Sequence, residues 1–188
     1  MKRLFIAIPV NEENKENIRK LLDELRKLSL EAKIERIENM HLTLKFLGNT
    51  EGNKIEIINQ GLSEIAKKHQ EFEAEFRRFG FFPNARNPRI FWLGIEEPAQ
   101  KIINLQSDIE KAMERLGYER EKKPFKSHLT LARIKNSRNI IKFIESIKKF
   151  SELTFEPVRV NHFILYESIL KPEGAEYYAL KKFFLNKG

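Results

Sequence analysis

The tetrapeptide His-Leu-Thr-Leu occurs twice, at His41-Leu42-Thr43-Leu44 and His128-Leu129-Thr130-Leu131, and its surroundings repeat with it. The two histidines are 87 positions apart, and Arg3-Leu4-Phe5 matches Arg89-Ile90-Phe91 at an offset of 86. Near-equal spacing of equivalent pieces points to an internal duplication. Two such halves commonly pack about a pseudo-twofold axis, which would set the equivalent strands opposite each other and bring both histidines to one groove. Within each copy, polar and apolar residues alternate as on a strand with one buried face. Residues i and i+2 of a strand share a face about 7 Å apart, so each His points with its Thr while the leucines face the other way.

Periodicity fills in the halves. Arg3 to Val10 reads as a buried strand, and Asn11 stands at the cap of a helix carried by Ile18, Leu21, Leu22, Leu25 and Leu28. Glu12 and Glu13 suit its positive end. The first motif lies in a strand from Met40 to Leu47, which Gly48-Asn49 is expected to stop. Thr50 then caps a helix on Ile55, Ile58, Leu62 and Ile65, and a strand from Phe72 to Phe79 closes the half. The second half reads alike: a strand from Arg89 to Ile95, a helix with Pro98 in its first turn and Gly117 as its stop, and the motif strand from His128 to Ile134. A helix capped by Ser137 and a strand at Leu153 to Phe155 follow. Tyr166 to Leu170 and Tyr177 to Leu185 add two strands joined by a turn at Lys171-Pro172-Glu173-Gly174.

A chain of 188 residues with 41% hydrophobic content and 15 Phe can bury a core as one domain or two closely packed lobes. The absence of Cys excludes disulfides, thiolate nucleophiles and Cys-ligated zinc. No apolar run approaches the roughly 18 residues of a membrane span, and the apolar stretch after Met1-Lys2-Arg3 is too short for a secretory signal, so a cytoplasmic location is the default expectation. The net charge of +8 favours a polyanionic partner such as nucleic acid. The excess of Lys, Glu and Ile is also a bias found in hyperthermophile proteins.

Two histidines facing one phosphodiester supply acid–base chemistry without a metal. A neutral imidazole takes a proton from water as it attacks phosphorus, and a charged one delivers a proton to the departing oxygen. At the typical 10²- to 10⁴-fold per proton transfer, the pair lowers the barrier by about 5 to 11 kcal/mol. Thr43 and Thr130 are placed to donate hydrogen bonds to the non-bridging oxygens. Phosphate-binding Gly-x-x-x-x-Gly-Lys-Ser/Thr loops, His-Glu-x-x-His and Gly-x-Ser-x-Gly are absent from the sequence. Two histidines alone make a poor zinc site, so no metal or other cofactor is expected. Two further readings stay open: the same site run backwards joins a cyclic phosphate to a 5′-hydroxyl without ATP, and a basic RNA-binding module would leave the histidines as polar surface groups.

The paired motifs resemble those of the two-histidine phosphoesterase superfamily. The run His128-Leu129-Thr130-Leu131-Ala132-Arg133 is similar to its RNA 2′,3′-cyclic phosphodiesterase branch, also called 2′-5′ RNA ligase. So are Arg3-Leu4-Phe5-Ile6-Ala7-Ile8, Pro88-Arg89-Ile90-Phe91-Trp92-Leu93-Gly94, and Leu165-Tyr166-Glu167-Ser168 with Gly174 and Tyr177. The resemblance spans nearly the whole chain. It implies a bilobed α+β fold within a single two-lobed domain of residues 1–188, with two mainly antiparallel sheets flanking a groove and helices outside. It further implies hydrolysis of RNA 2′,3′-cyclic phosphate ends to 2′-phosphates, with His41 as proton donor to the 3′ oxygen and His128 as acceptor from water. Thr43 and Thr130 would hold the phosphate, and Arg133 would contact phosphate or substrate. A monomer acting on RNA ends, tRNA fragments among the candidates, is expected.

Neighbouring residues carry subsidiary expectations. Lys45 shares parity with His41 and Thr43, so an unbroken strand puts its ammonium on the groove side. Arg133 falls opposite His128 by strict alternation, so its expected role requires a bulge or bend after Thr130. The stretch Phe81 to Arg89 mixes aromatics with cations, a composition suited to single-stranded RNA, although Phe81 and Phe82 are read as core residues. His69 and His162, outside the motif, are read as surface and structural residues respectively.

Overall fold

The computed structural model describes residues 1–28, 31–97, 99–136, 138, 140–148, 150 and 155–187. The first half forms strand β1 (Lys2–Pro9), helix α1 (Glu12–Arg26), the short strand β2 (Ala32–Ile34), the motif strand β3 (His41–Thr50), helix α2 (Ile55–Ala66) and strand β4 (Phe72–Phe82). The second forms β5 (Ile90–Glu97), α3 (Ala99–Arg115), the motif strand β6 (His128–Ile134), α4 (Ile140–Lys148) and β7 (Val158–Val160), and the chain ends in a hairpin of β8 (His162–Lys171) and β9 (Gly174–Phe184). Pro98, Ser137 and the start of the strand expected at Leu153 lie outside the described residues; Phe155 is not in a strand.

The strands run in the order β9-β8-β1-β3-β6-β5-β4-β7, with β2 beside β6, and every strand pairing is antiparallel. The two expected sheets are therefore two arms of one curled sheet. They meet at a single residue pair, Leu42 opposite Leu129, one leucine from each motif. On either side of this seam the order is the same: motif strand, then the strand that begins its half. The halves exchange strands, because β2 of the first half pairs with β6 and β4 of the first half pairs with β5 and β7 of the second, while the terminal hairpin completes the arm built on β1.

Leu42, Leu44, Leu129 and Leu131 are buried on one face of the sheet, together with Ile102, Leu105, Ile109 and Met113 of α3. Each such side chain contributes about 1.5 to 3 kcal/mol relative to exposure. Gln106 of α3 donates to the Leu44 carbonyl at 3.4 Å, so this helix backs the first motif from the leucine side. The histidines and threonines are left on the opposite face.

Three local expectations are corrected. Gly48 does not stop β3; it sits at φ 69° in a bulge, and the strand runs on to Thr50. Thr50 caps no helix: it is buried, accepts a hydrogen bond from the Tyr118 hydroxyl at 3.1 Å, and precedes a 3₁₀ turn at Gly52–Lys54 that leads into α2. Asn11 holds the cap position of α1 but makes no side-chain capping bond, its Oδ1 instead accepting from Asn14 at 3.1 Å. Gly117 ends α3 as expected, at φ 87°, with Tyr118 N–H bonded to the Met113 carbonyl.

Candidate active site

The two motif strands bend in the same way. Both show one burial pattern over seven residues, His41 to Leu47 and His128 to Ile134, in which two consecutive residues after the Thr are buried and the next is exposed. Register explains it: β1 steps from Ile6 opposite Lys45 to Ala7 opposite Thr43, and β5 steps from Phe91 opposite Ala132 to Trp92 opposite Thr130. Each step is a bulge, and it reverses the alternation beyond it. Arg133 thereby comes to the histidine face, as its expected role required. Phe46 does the same in the other half.

Lys45 goes the opposite way, which corrects its expected placement on the groove. The bulge turns it into the core, where its Nζ lies 2.5 Å from Glu110 Oε1 on α3 and 2.9 Å from the Glu119 carbonyl. Glu110 also accepts from the Glu121 N–H at 3.0 Å and from Gln106 at 3.1 Å. The pair ties β3, two residues past Thr43, to the segment that runs into His128.

Around the Leu42–Leu129 pair, antiparallel register places His41 beside Thr130 and Thr43 beside His128. The four side chains form a cluster with each His diagonal to the other. Both rings are hung alike: His41 Nδ1 lies 2.6 Å from the Asn39 carbonyl and His128 Nδ1 lies 2.6 Å from the Lys126 carbonyl, in each case two residues back. A carbonyl only accepts, so Nδ1 carries the hydrogen and Nε2 is left to exchange a proton. No other described residue engages the hydroxyls of Thr43 or Thr130.

The surroundings of the two rings differ. His41 sits among Phe5, Tyr177 and Tyr166, with ring centroids 4.8, 5.1 and 6.4 Å away. Burial pushes its pKa down to about 4, against the Asn39 hydrogen bond, and the charges of Arg133 and His128 add to the depression. His128 meets Phe82 edge-on at 4.8 Å and Trp92 at 6.3 Å. Burial also holds its pKa below the ordinary imidazole value. Both rings are thus neutral at pH 7 in the free protein, and an anion placed at Nε2 favours the imidazolium.

These aromatic walls, and the two carbonyls that fix the tautomers, are not among the site residues found in the sequence. Phe82 corrects the core reading given to the Phe81-Phe82 pair. Phe81 does pack on Phe91 and Phe143, but Phe82, one position on, faces Trp92 and His128. Trp92 lies against Gly80, where a Cβ would come within 2.2 Å of the indole, so only glycine admits the ring there. His69 is less exposed than expected and bonds Asp108 of α3 at 3.0 Å. His162 has the structural surroundings foreseen for it, bonded to Asn161 and packed on Phe184.

Two symmetry-related imidazoles, each with one nitrogen held and one available, flanked by hydroxyls and a guanidinium, make an acid–base arrangement suited to an anionic ester. A family model described as LigT like Phosphoesterase matches the chain twice, over residues 8–92 and 93–177. The chain belongs to the LigT-like phosphoesterase family. It is 35% identical to the RNA 2′,3′-cyclic phosphodiesterase of Archaeoglobus fulgidus over 96% of this chain and 99% of that one. It is 33% identical to the protein of the same name from Thermotoga maritima, over 95% and 92%. Among solved structures it is similar to TT0787 of Thermus thermophilus, with a TM-score of 0.78 at 28% identity over 97% of both chains. E. coli LigT complexed with NADP+ matches at a TM-score of 0.75 and 26% identity over 98% of both.

Proposed function

We propose that this phosphoesterase opens RNA 2′,3′-cyclic phosphate ends to 2′-phosphates without a metal, with His41 as the acid and His128 as the base. Water attacks phosphorus and gives its proton to His128 Nε2. The P–O3′ bond breaks, and His41 Nε2 protonates the departing oxygen. Thr43 and Thr130 hold the non-bridging oxygens and Arg133 offsets their charge. The observation that carries the reading is the matched suspension of both rings from the carbonyl two residues back, which presents one exchangeable nitrogen from each half beside the same strand seam. The names of the relatives support the choice of ester.

The phosphodiester helps to make its own acid. His41 is hard to protonate in the free protein, so the bound anion must supply the favourable charge, and an imidazolium with a depressed pKa is in turn a strong proton donor. The required free form, His41 charged and His128 neutral, is most populated between the two depressed pKa values. The bell of kcat/KM against pH is therefore expected to have both limbs below about 6.5, and that of kcat to lie at higher pH because the bound anion raises His41. A kcat/KM profile still rising above pH 7 would contradict this assignment.

Product analysis on an oligonucleotide ending in a 2′,3′-cyclic phosphate tests the reaction. A 2′-phosphate formed equally fast with and without a chelator is the expected result; a 3′-phosphate, or activity lost to the chelator, overturns it. Phe82 and Trp92 beside His128 also favour a second reaction of the same site, in which a 5′-hydroxyl nucleoside stacked there replaces water and a 2′-5′ linkage forms. The same assay with added 5′-hydroxyl RNA measures it.

A further inference from the structure

Beside His41 the sheet opens into a cavity of about 570 Å³ between β2, the start of β1 and the β8–β9 turn, of a size that small-molecule sites occupy. Arg3, Lys33, Arg36, Arg133 and Lys171 line it with Glu35 and Glu173; Lys171 is paired with Glu176 at 2.7 Å and Arg36 lies 3.8 Å from Glu38. Lys33 and Arg133 face each other directly across β2 and β6. Like charges so paired cost stability, and the arrangement favours an anion between them. Glu35 takes the Nε of Arg133 at 2.9 Å, while Arg3 and Lys33 have no carboxylate partner among the described residues. The site adjoins His41: Tyr177, which meets the His41 ring edge-on, lines the cavity and lies within reach of the charges of Glu35, Arg133 and Arg3. Asn39 joins the two, its carbonyl holding His41 and its amide donating to Ala175 in the hairpin at 2.8 Å. Gly174, at φ 140°, keeps the turn open to Lys33, whose Nζ would lie 3.2 Å from a Cβ there.

We propose that this cavity binds the RNA phosphates upstream of the reacting nucleotide, so that the enzyme selects oligonucleotide ends over cyclic mononucleotides. The inference rests on the roles proposed above for the two histidines. In-line opening of the ring puts water on the His128 side and the departing O3′ on the His41 side. That oxygen stays on the ribose that carries the rest of the RNA. The body of the substrate therefore leaves the centre on the side where the cations lie.

The test compares kcat/KM for a nucleoside 2′,3′-cyclic monophosphate and for a trinucleotide ending in the same group, in the parent and in K33A/R36A, two exposed side chains that touch neither imidazole. The parent is expected to prefer the trinucleotide by about 10- to 100-fold at low salt, as one or two charge-assisted contacts supply. The preference should erode with salt at a slope near −0.7 per phosphate contacted. In K33A/R36A it should fall toward one while mononucleotide turnover stays within about two-fold of the parent, since no acid–base group changes. Equal turnover of both substrates by the parent, or a variant that loses equally on both, overturns the inference and leaves the catalytic reading in place. If the parent opens neither ring, the catalytic reading itself has failed.

Discussion

Alanine at either His41 or His128 is expected to lower kcat by about 10²- to 10⁴-fold, the usual contribution of one positioned proton-transfer group. The loss should appear in single-turnover hydrolysis of a cyclic-phosphate oligonucleotide, with the circular dichroism spectrum unchanged. The double variant should lose less than the product of the two, because acid and base act on one transition state. Parent-like activity in either single variant would remove the mechanism. The two losses are not equivalent chemically. A substrate whose bridging 3′ oxygen is replaced by sulfur has a leaving group with a pKa near that of a thiol, about 8.5, and needs far less help from an acid. It should restore much of the rate to H41A and little to H128A; the reverse pattern would exchange the two roles.

The second large effect is expected at the Lys45–Glu110 pair. Truncating one partner, as in K45A or E110A, leaves a charge buried without compensation, a change that costs about 3 to 5 kcal/mol. Denaturant unfolding should report it as a lower midpoint at an unchanged slope. Replacing both partners by apolar residues, as in K45M/E110L, should recover most of that loss, since the desolvated charges disappear together. If K45A unfolds like the parent, the ammonium is not held in the core and the bulge after Leu44 is misplaced.

This pair also marks where sequence reading failed. The duplication, the alternation within each motif and the likeness of the halves were all legible, because they depend on local spacing. The bulge in β6 was legible too, since strict alternation put Arg133 on the wrong face for its expected role. The same bulge lies at the same place in β3, and no conflict announced it there: a lysine in step with His41 and Thr43 looked sensible on the groove side. The equivalence of the two halves carries the bulge from β6 to β3, which sends Lys45 inward and Phe46 outward. Phe82 departs from its core expectation for a related reason, as neighbouring aromatics on a strand face opposite ways and only Phe81 belongs to the core. The cavity beside His41 could not be read at all. Arg3, Lys33 and Gly174 share no local pattern and meet only because the terminal hairpin docks beside β1.

The exchange of β4 carries a consequence for the duplication itself. A single repeat, folded by itself, would offer its last strand to a neighbour that is not there and would leave its own first strand with one edge bare. Neither half closes its layer alone, and each completes what the other lacks. Fusing them in one polypeptide does more than tether two histidines: under the proposed mechanism, whatever supplies the acid would also supply the base, in equal number and at a fixed separation.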